Sequence, residues 1–220
     1  MDPFVFIATP TAAGKTDCRW EARLAKSRAK YKTMFGTTSG SAQMRNFNRL
    51  YAGALNARAQ GITHFLMLHD DVLPQDGDVP WMQTMFDLMH AYSLKALSAI
   101  VAIKDARRTV SCGLRDANGG NKNFTIEEFG PPGTTRVNGD GGVLLVNTGC
   151  LLIDIREPWA EQLHFEMADT IYKDKDGQFK AHFEPEDYRM SVRLSEMGVR
   201  YGATNAVKTF HVGTYDWPNH

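Results

Sequence analysis

Thr63-His64-Phe65-Leu66-Met67-Leu68-His69-Asp70-Asp71-Val72-Leu73-Pro74 is the stretch whose reading decides the fold. Four apolar residues run without alternation from Phe65 to Leu68, which suits a strand buried on both faces of a parallel sheet. Three polar, metal-competent side chains, His69, Asp70 and Asp71, follow at once, and Pro74 closes the unit. Ligands of open α/β sheets bind beyond the carboxyl ends of such strands. The same residues also suit a plain polar turn, with aspartates capping backbone N–H groups.

Working towards the N-terminus, Ser41 to Gln60 reads as a helix. Met44, Phe47, Leu50, Tyr51, Ala54 and Leu55 recur at helical spacing, and Gly61 suits the residue just past its end. Arg45, Asn46, Asn48 and Arg49 crowd its first half, where a solvated face is the ordinary reading. Before it, Tyr31 to Phe35 reads as a short strand leading to a loop at Gly36-Thr37-Thr38-Ser39-Gly40. Phe4 to Ala8 reads as the first buried strand. Gly14-Lys15-Thr16 matches the end of a phosphate-binding G-x-x-x-x-G-K-[ST] loop. Thr9 stands where that motif needs its first glycine, so a strand-to-helix loop with Asp17 as N-cap is the better reading.

Working towards the C-terminus, a helix from Pro80 carries Met82, Met85, Phe86, Met89 and Tyr92 on one stripe. Ala96 to Ile103 is a further buried strand. Strand and helix thus alternate through the first half, as in a parallel doubly wound unit. Beyond Lys104 the pattern becomes irregular, with Arg107-Arg108, Asn118-Gly119-Gly120-Asn121 and Pro131-Pro132-Gly133 marking loops and a hairpin. Val143–Val146 and Cys150–Ile155 are strands interrupted at Asn147-Thr148-Gly149, a break that suits either a bulge or a close approach of backbone to ligand. Pro158 to Met167 is a helix candidate, and Asp174 to Gly177 a turn. Glu186 and Asp187 open a helix that ends at Gly198, where they complement the helix dipole or point into a site. Val199 to Thr204 is the last sheet strand, and His211 stands alone between apolar residues.

The 220 residues are 43% hydrophobic, enough for a core and too many for a mainly disordered chain. No run approaches the ~20 apolar residues of a membrane span, and Met1-Asp2-Pro3-Phe4 has no basic leader. Cys18, Cys112 and Cys150 lack paired spacing, which suits free thiols in a cytoplasm. Lys+Arg and Asp+Glu balance at 25 each, which argues against strong non-specific nucleic-acid binding. A local patch of Arg19, Arg23, Lys26, Arg28, Lys30 and Lys32 could still track a phosphate backbone or be a solvated helix face.

A carboxylate pair after a buried strand, a Glu-Asp pair opening a late helix and a histidine after the last strand share one logic. Oxygen-rich ligation with one imidazole suits Mg²⁺ or Mn²⁺, with the remaining positions filled by substrate phosphates and water. The order of these motifs resembles GT-A-fold glycosyltransferases of the family-two type. His69-Asp70-Asp71 matches their Asp-x-Asp motif, with histidine in place of the first acid. Thr148-Gly149-Cys150-Leu151-Leu152, Glu186-Asp187 to Gly198, and His211 match three further motifs. Arg45-Asn46 before the acidic motif resembles small phage and viral members.

The resemblance implies one α/β Rossmann-like GT-A domain over 1–220, with a mostly parallel mixed sheet flanked by helices. Residues 1–104 would be its nucleotide-binding half and 105–220 its acceptor-binding half. It implies a sugar transferred from a nucleotide-sugar donor, UDP-linked first, to an acceptor hydroxyl on a glycan or a hydroxymethylated base of phage DNA. The setting would be the cytoplasm, of the host cell if viral. Mn²⁺ or Mg²⁺ would sit on Asp71, His211 and Asp70. Thr9, Pro10, Arg45, Asn46 and His69 would contact the nucleotide, and Asn147, Thr148 and Gly149 would line the sugar pocket. Asp187, or Glu186, would be the base. Arg107 and Arg108 would cover the phosphates or form a solvated charge pair. The residues leave three rivals open: a nucleotidyltransferase, a kinase acting through Lys15, and an inactive nucleotide-sugar-binding module.

Overall fold

A computed structural model describes residues 2–11, 18–40, 42–116, 119–139, 141–213 and 217–220. The Gly14-Lys15-Thr16 loop and Asp17 lie outside the described residues. Strand β1 (Phe4–Thr11) leads to α1 (Cys18–Lys30), β2 (Lys32–Ser39) and α2 (Gln43–Asn56), which runs on as a 3-10 turn to Gln60. Gly61 follows at φ 95, the left-handed conformation expected of the residue past a helix. Next come β3 (His64–Leu68), β4 (Val72–Pro74), α3 (Trp81–Ala91) and β5 (Ala96–Ala99). The alternation read from the first half is therefore present. Strand β2 runs four residues past Phe35, however. Gly36 stays in the strand because a Cβ there would meet the Phe6 ring at 2.5 Å, so this glycine serves packing rather than a turn.

The second half adds β6 (Thr109–Arg115), β7 (Asn121–Thr125), α4 (Ile126–Phe129), β8 (Thr135–Val137), β9 (Val143–Leu145) and β10 (Cys150–Asp154). After these come β11 (Ala168–Lys173), β12 (Phe179–Glu184), α5 (Glu186–Glu196), β13 (Tyr201–Thr204), β14 (Thr209–His211) and β15 (Trp217–Pro218). Among the described residues the central sheet has seven strands in the order β2-β1-β3-β10-β5-β13-β8. Strands β2, β1, β3, β5 and β13 share one direction, while β10 and β8 run against it. The chain is thus a mixed α/β fold, with a large central sheet flanked by helices. The doubly wound half is interrupted, because β10 inserts antiparallel between β3 and β5. Nothing in an apolar run such as Cys150–Ile153 states its direction.

Strand β3 is buried along its whole length, as an unbroken apolar run requires. Phe65 and Met67 face a core shared with Phe47, Leu50 and Tyr51 of α2. Leu66 and Leu68 face a second core with Trp20 and Leu24 of α1 and Trp81, Met82 and Met85 of α3. Fully burying side chains of this size contributes roughly 1.5–3 kcal/mol each.

The expected helix over Pro158–Met167 forms only a 3-10 turn at Pro158–Gln162. Beyond it the backbone is held extended by the Asn48 side chain, whose Nδ2 donates to the Phe165 carbonyl (2.7 Å) and whose Oδ1 accepts from the Phe165 amide (2.8 Å). The Phe165 ring then packs edge-on against Phe47 and Tyr51. Asn48 is therefore a structural anchor and not part of a solvated face. Cys112 and Cys150 are buried and unpaired, and burial pushes the Cys150 thiol up to about 12. No helix among the described residues is long and apolar enough to cross a membrane.

Candidate functional site

Strand β3 ends at the turn the sequence marks. The Val72 amide donates to the His69 carbonyl at 3.1 Å, which places Asp70 and Asp71 at the two corners of a β-turn. The polar turn expected there is therefore present. The His69 amide donates to the Gly149 carbonyl (2.9 Å), fixing the turn to the break between β9 and β10. A cavity of about 240 Å³ lies against it, lined by Pro10 and Thr11 at the end of β1, Gly40 after β2, Gln43, Asn46 and Phe47 on α2, and His69, Asp70 and Asp71. This is the carboxyl edge of the parallel strands, where a ligand is expected.

His211 reaches the turn because β14 pairs antiparallel with β4, setting His211 opposite Val72. The Val212 amide donates to the Asp71 carbonyl at 2.7 Å. His211 Nδ1 lies 2.7 Å from the Ala102 carbonyl, and His211 Nε2 lies 3.1 Å from Asp71 Oδ2. Lys104 Nζ donates to the same Asp71 oxygen at 2.7 Å. Burial disfavours a charged Asp71, but the His211 and Lys104 contacts outweigh it and hold the carboxyl well below the usual range. Asp70, on the same cavity, is raised by burial and by Asp71.

The donor chemistry of Asp71 and His211 fits a divalent cation. With Nδ1 engaged by the Ala102 carbonyl, Nε2 is the ring nitrogen that would ligate a cation held against Asp71, the usual arrangement of a histidine ligand. Two ligands at ~2.1 Å from one octahedral ion and at right angles stand ~3 Å apart. Among the described residues no group of three or more His, Cys, Asp or Glu side chains is close enough to hold an ion unaided. Such a cation would depend on a ligand for its remaining positions.

Helix α5 brings in the other carboxylates. Ser191 anchors its first turn: its hydroxyl donates to the Asp187 carbonyl (2.7 Å) and accepts from the Val146 amide (2.9 Å). Gln43 Nε2 donates to Glu186 Oε1 at 3.5 Å, linking α5 to the cavity wall. Thr148 lies between the two, with its hydroxyl 3.5 Å from His69 Nε2 and bonded to Glu186. Burial, and then the neighbouring Glu186 charge, push Asp187 up to about 7. Burial also raises Glu186. His69 packs against the Phe47 ring, 5.1 Å between centroids, and burial pushes it down to about 4. It is a neutral hydrogen-bonding group at ordinary pH.

The other expected residues fall into different places. Thr9 is fully buried, and its hydroxyl has no partner among the described residues; Thr11 lines the cavity in its stead. Asn46 is on the cavity wall and donates to the Gly40 carbonyl (3.1 Å), while Arg45 is exposed and off the wall. Asn147 is used internally, its Nδ2 donating to the Ala99 carbonyl (2.9 Å). A Cβ on Gly149 would meet Asn147 Oδ1 and Val72 at 3.2 Å, so its backbone closes against the turn rather than against open space. Arg107 pairs with Asp105 (2.6 Å) and Arg108 with Glu127 (3.0 Å), all but Asp105 well exposed. These are solvated ion pairs. Within the basic patch, Arg28 pairs with Glu21 (3.7 Å) and Lys26 with Asp76 (3.6 Å).

Gln43 and Lys104 are site residues the sequence reading missed. Gln43 lies one helical turn before Asn46, a spacing that could have found it. Lys104 directly follows the apolar run Ala96–Ile103, of which only Ala96–Ala99 forms a strand, and nothing local ties it to Asp71.

No family model and no curated protein matches this sequence significantly. Solved structures do. A197 from STIV is similar at a TM-score of 0.54 and 12% identity, over 96% of this chain and 86% of that one. Apo UDP-glucose pyrophosphorylase is similar at 0.42 and 14%, over 95% and 76%. The same kind of enzyme complexed with UDP-glucose is similar at 0.41 and 13%, over 95% and 75%. At these identities the likeness to A197 is one of fold.

Proposed function

We propose that this chain is a metal-dependent glycosyltransferase, moving a sugar from a nucleotide-sugar donor to an acceptor hydroxyl. The observation that carries this reading is the convergence of the 69–71 turn, the end of β1 and the start of α2 around one cavity, with Glu186 at the start of α5 hydrogen-bonded to its wall through Gln43. A fold shared with transferases cannot assign a reaction, so the reading rests on these side chains. Residues 1–104 would bind the nucleotide and 105–220 the acceptor.

Pro10, Thr11 and Asn46 form the wall for the nucleoside, with Thr9 behind it and Arg45 at the rim. His69, neutral, offers one hydrogen bond to the nucleotide. Asp71 and His211, with Asp70 beside them, would hold Mn²⁺ or Mg²⁺, which supplies Lewis-acid neutralisation of charge on the departing diphosphate. Lys104 adds a second positive charge on the same side. Asp187 takes the proton of the acceptor hydroxyl, and a carboxylate poised near 7 suits that work at neutral pH. Glu186, with Thr148 and Gln43, fixes the first turn of α5. A UDP-linked sugar is the first donor to try, with a glycan or a hydroxymethylated base in DNA as acceptor.

The test is a panel of nucleotide sugars incubated with Mn²⁺ and with hydroxymethylated DNA or glycan acceptors. Release of nucleoside diphosphate, lost in Asp71→Ala, is the expected result. Release of pyrophosphate from a nucleoside triphosphate and a sugar phosphate would replace this reading with nucleotidyl transfer. Donor binding without turnover across the acceptor panel would replace it with a binding module.

A further inference from the structure

Strands β11 and β12 form a two-stranded antiparallel hairpin joined by the turn at Asp174–Gly177. It is exposed along almost its whole length. Its register separates two faces. Asp169 opposes Phe183, Ile171 opposes Ala181, and Lys173 opposes Phe179, so these six share one face. The other face is rooted in the protein body at Glu184, which is buried and paired with Arg115 and Arg189.

Beyond that root both faces are exposed, and the first is the more apolar one. Ile171 is 77% exposed, Phe179 72% and Phe183 54%. At about 200 Å² for a fully exposed side chain of this size, the three present about 400 Å² of apolar surface. A patch of that size usually marks an interaction site. An isolated hairpin is also marginal in water, so a cover over this face would stabilise the element itself.

Charge placement says what the cover is. Asp169 and Lys173 stand two residues either side of Ile171 on the same strand and face. Among the described residues neither has an ion pair with another side chain; Lys173 Nζ rests over the Phe179 ring at 4.9 Å. A two-fold axis passing at Ile171 sets Asp169 of each copy against Lys173 of the other. The same rotation lays Phe179 of each copy over the Phe183 end of the other. Such self-complementarity is what an isologous dimer contact requires. Two faces would remove about 800 Å² of apolar surface through these side chains alone, and the strands around them supply area towards the ~1,600 Å² of a standard interface.

We propose that the Ile171–Phe179–Phe183 face of the β11–β12 hairpin is a homodimer contact, with Ile171 on the two-fold axis and Asp169 paired to Lys173 across it. The inference is independent of the transferase reading. Its test is sedimentation velocity over a concentration series. The wild-type chain should be a dimer. Asp169→Lys or Lys173→Asp alone places like charges together twice per dimer, and each should raise the dissociation constant about tenfold or more. The double swap Asp169→Lys/Lys173→Asp should restore wild-type association. Circular dichroism of all three variants should match the wild type, because these side chains are exposed. A wild-type chain that stays monomeric at its highest soluble concentration would overturn the proposal. So would single swaps that leave the dimer intact, or a double swap that fails to restore it.

Discussion

Asp187→Asn should stabilise this protein while disabling it, and the two effects should depend on pH together. The ordinary carboxyl value of 3.8 becomes about 7 at Asp187. A change of that size costs the ionised form on the order of 4 kcal/mol at about 1.4 kcal/mol per tenfold change in proton affinity. Asp187 is half-buried, so roughly 2 kcal/mol is the expected share after solvent screening. Between 3.8 and about 7 the folded state binds more protons than the unfolded state, so the wild type loses stability as pH rises through that window. Asparagine resembles the protonated acid and escapes the loss. Tm measured by scanning calorimetry should therefore coincide for the two proteins near pH 4. It should favour Asp187→Asn by roughly 4–8 °C above pH 8, from ~2–4 °C per kcal/mol for a chain of this size. Diphosphate release by the wild type should fall about tenfold per unit of pH below 7, and the variant should lose about 10²–10⁴ of the rate. A Tm difference that does not change with pH, or a variant that keeps the wild-type rate, would refute the reasoning.

Three smaller perturbations follow from other contacts. Asn48→Ala removes both side-chain bonds to the Phe165 backbone and should cost about 1–3 kcal/mol in urea unfolding, with nucleotide binding unchanged. Asp154 is buried and accepts two bonds from the Arg156 guanidinium at 2.8 and 2.7 Å. Burial opposes its charge but the Arg156 bonds prevail and lower its pKa, so its contribution is present above the ordinary value and lost as pH falls through the lowered one. Asp154→Asn should destabilise by about 1–3 kcal/mol at pH 7, and the difference from wild type should shrink in acid unfolding curves below pH 4. Lys104→Met removes the ammonium that holds Asp71 Oδ2. It should tighten Mn²⁺ binding in the presence of a nucleotide by about fivefold, equivalent to ~1 kcal/mol for a half-exposed pair.

What was legible in the sequence follows the range over which each signal acts. The unbroken run Phe65–Leu68 and the period of Phe47, Leu50, Tyr51 and Ala54 are local, and both elements formed where they were read. The 69–71 turn was legible because polar residues end an apolar run. The cavity beside it was legible in part: Pro10, Asn46, His69, Asp70 and Asp71 line it, with Thr148 and Glu186 bonded to its wall. Whether β10 enters the sheet antiparallel depends on where residues 105–149 travel, and no short window holds that information. Phe165 escapes helix because of a side chain 117 residues away. The β11–β12 hairpin is not legible because its alternation is not between core and solvent: Ile171, Phe179 and Phe183 sit on an exposed face. Arg45 and Asn46 illustrate the limit within one helix. They are neighbours in sequence, yet the helical rotation puts one on the cavity wall and the other in solvent.

The central claim is that Asp71 and His211 make a cation-dependent site for a nucleoside diphosphate. Isothermal titration of UDP and UDP-sugars into the protein, with Mn²⁺ and again with a chelator, tests it most directly. The account predicts saturable binding with Mn²⁺, none with the chelator, and loss of the Mn²⁺-dependent binding in both Asp71→Ala and His211→Ala. Equal affinity with and without the metal, or full Mn²⁺-dependent binding in Asp71→Ala, would contradict it.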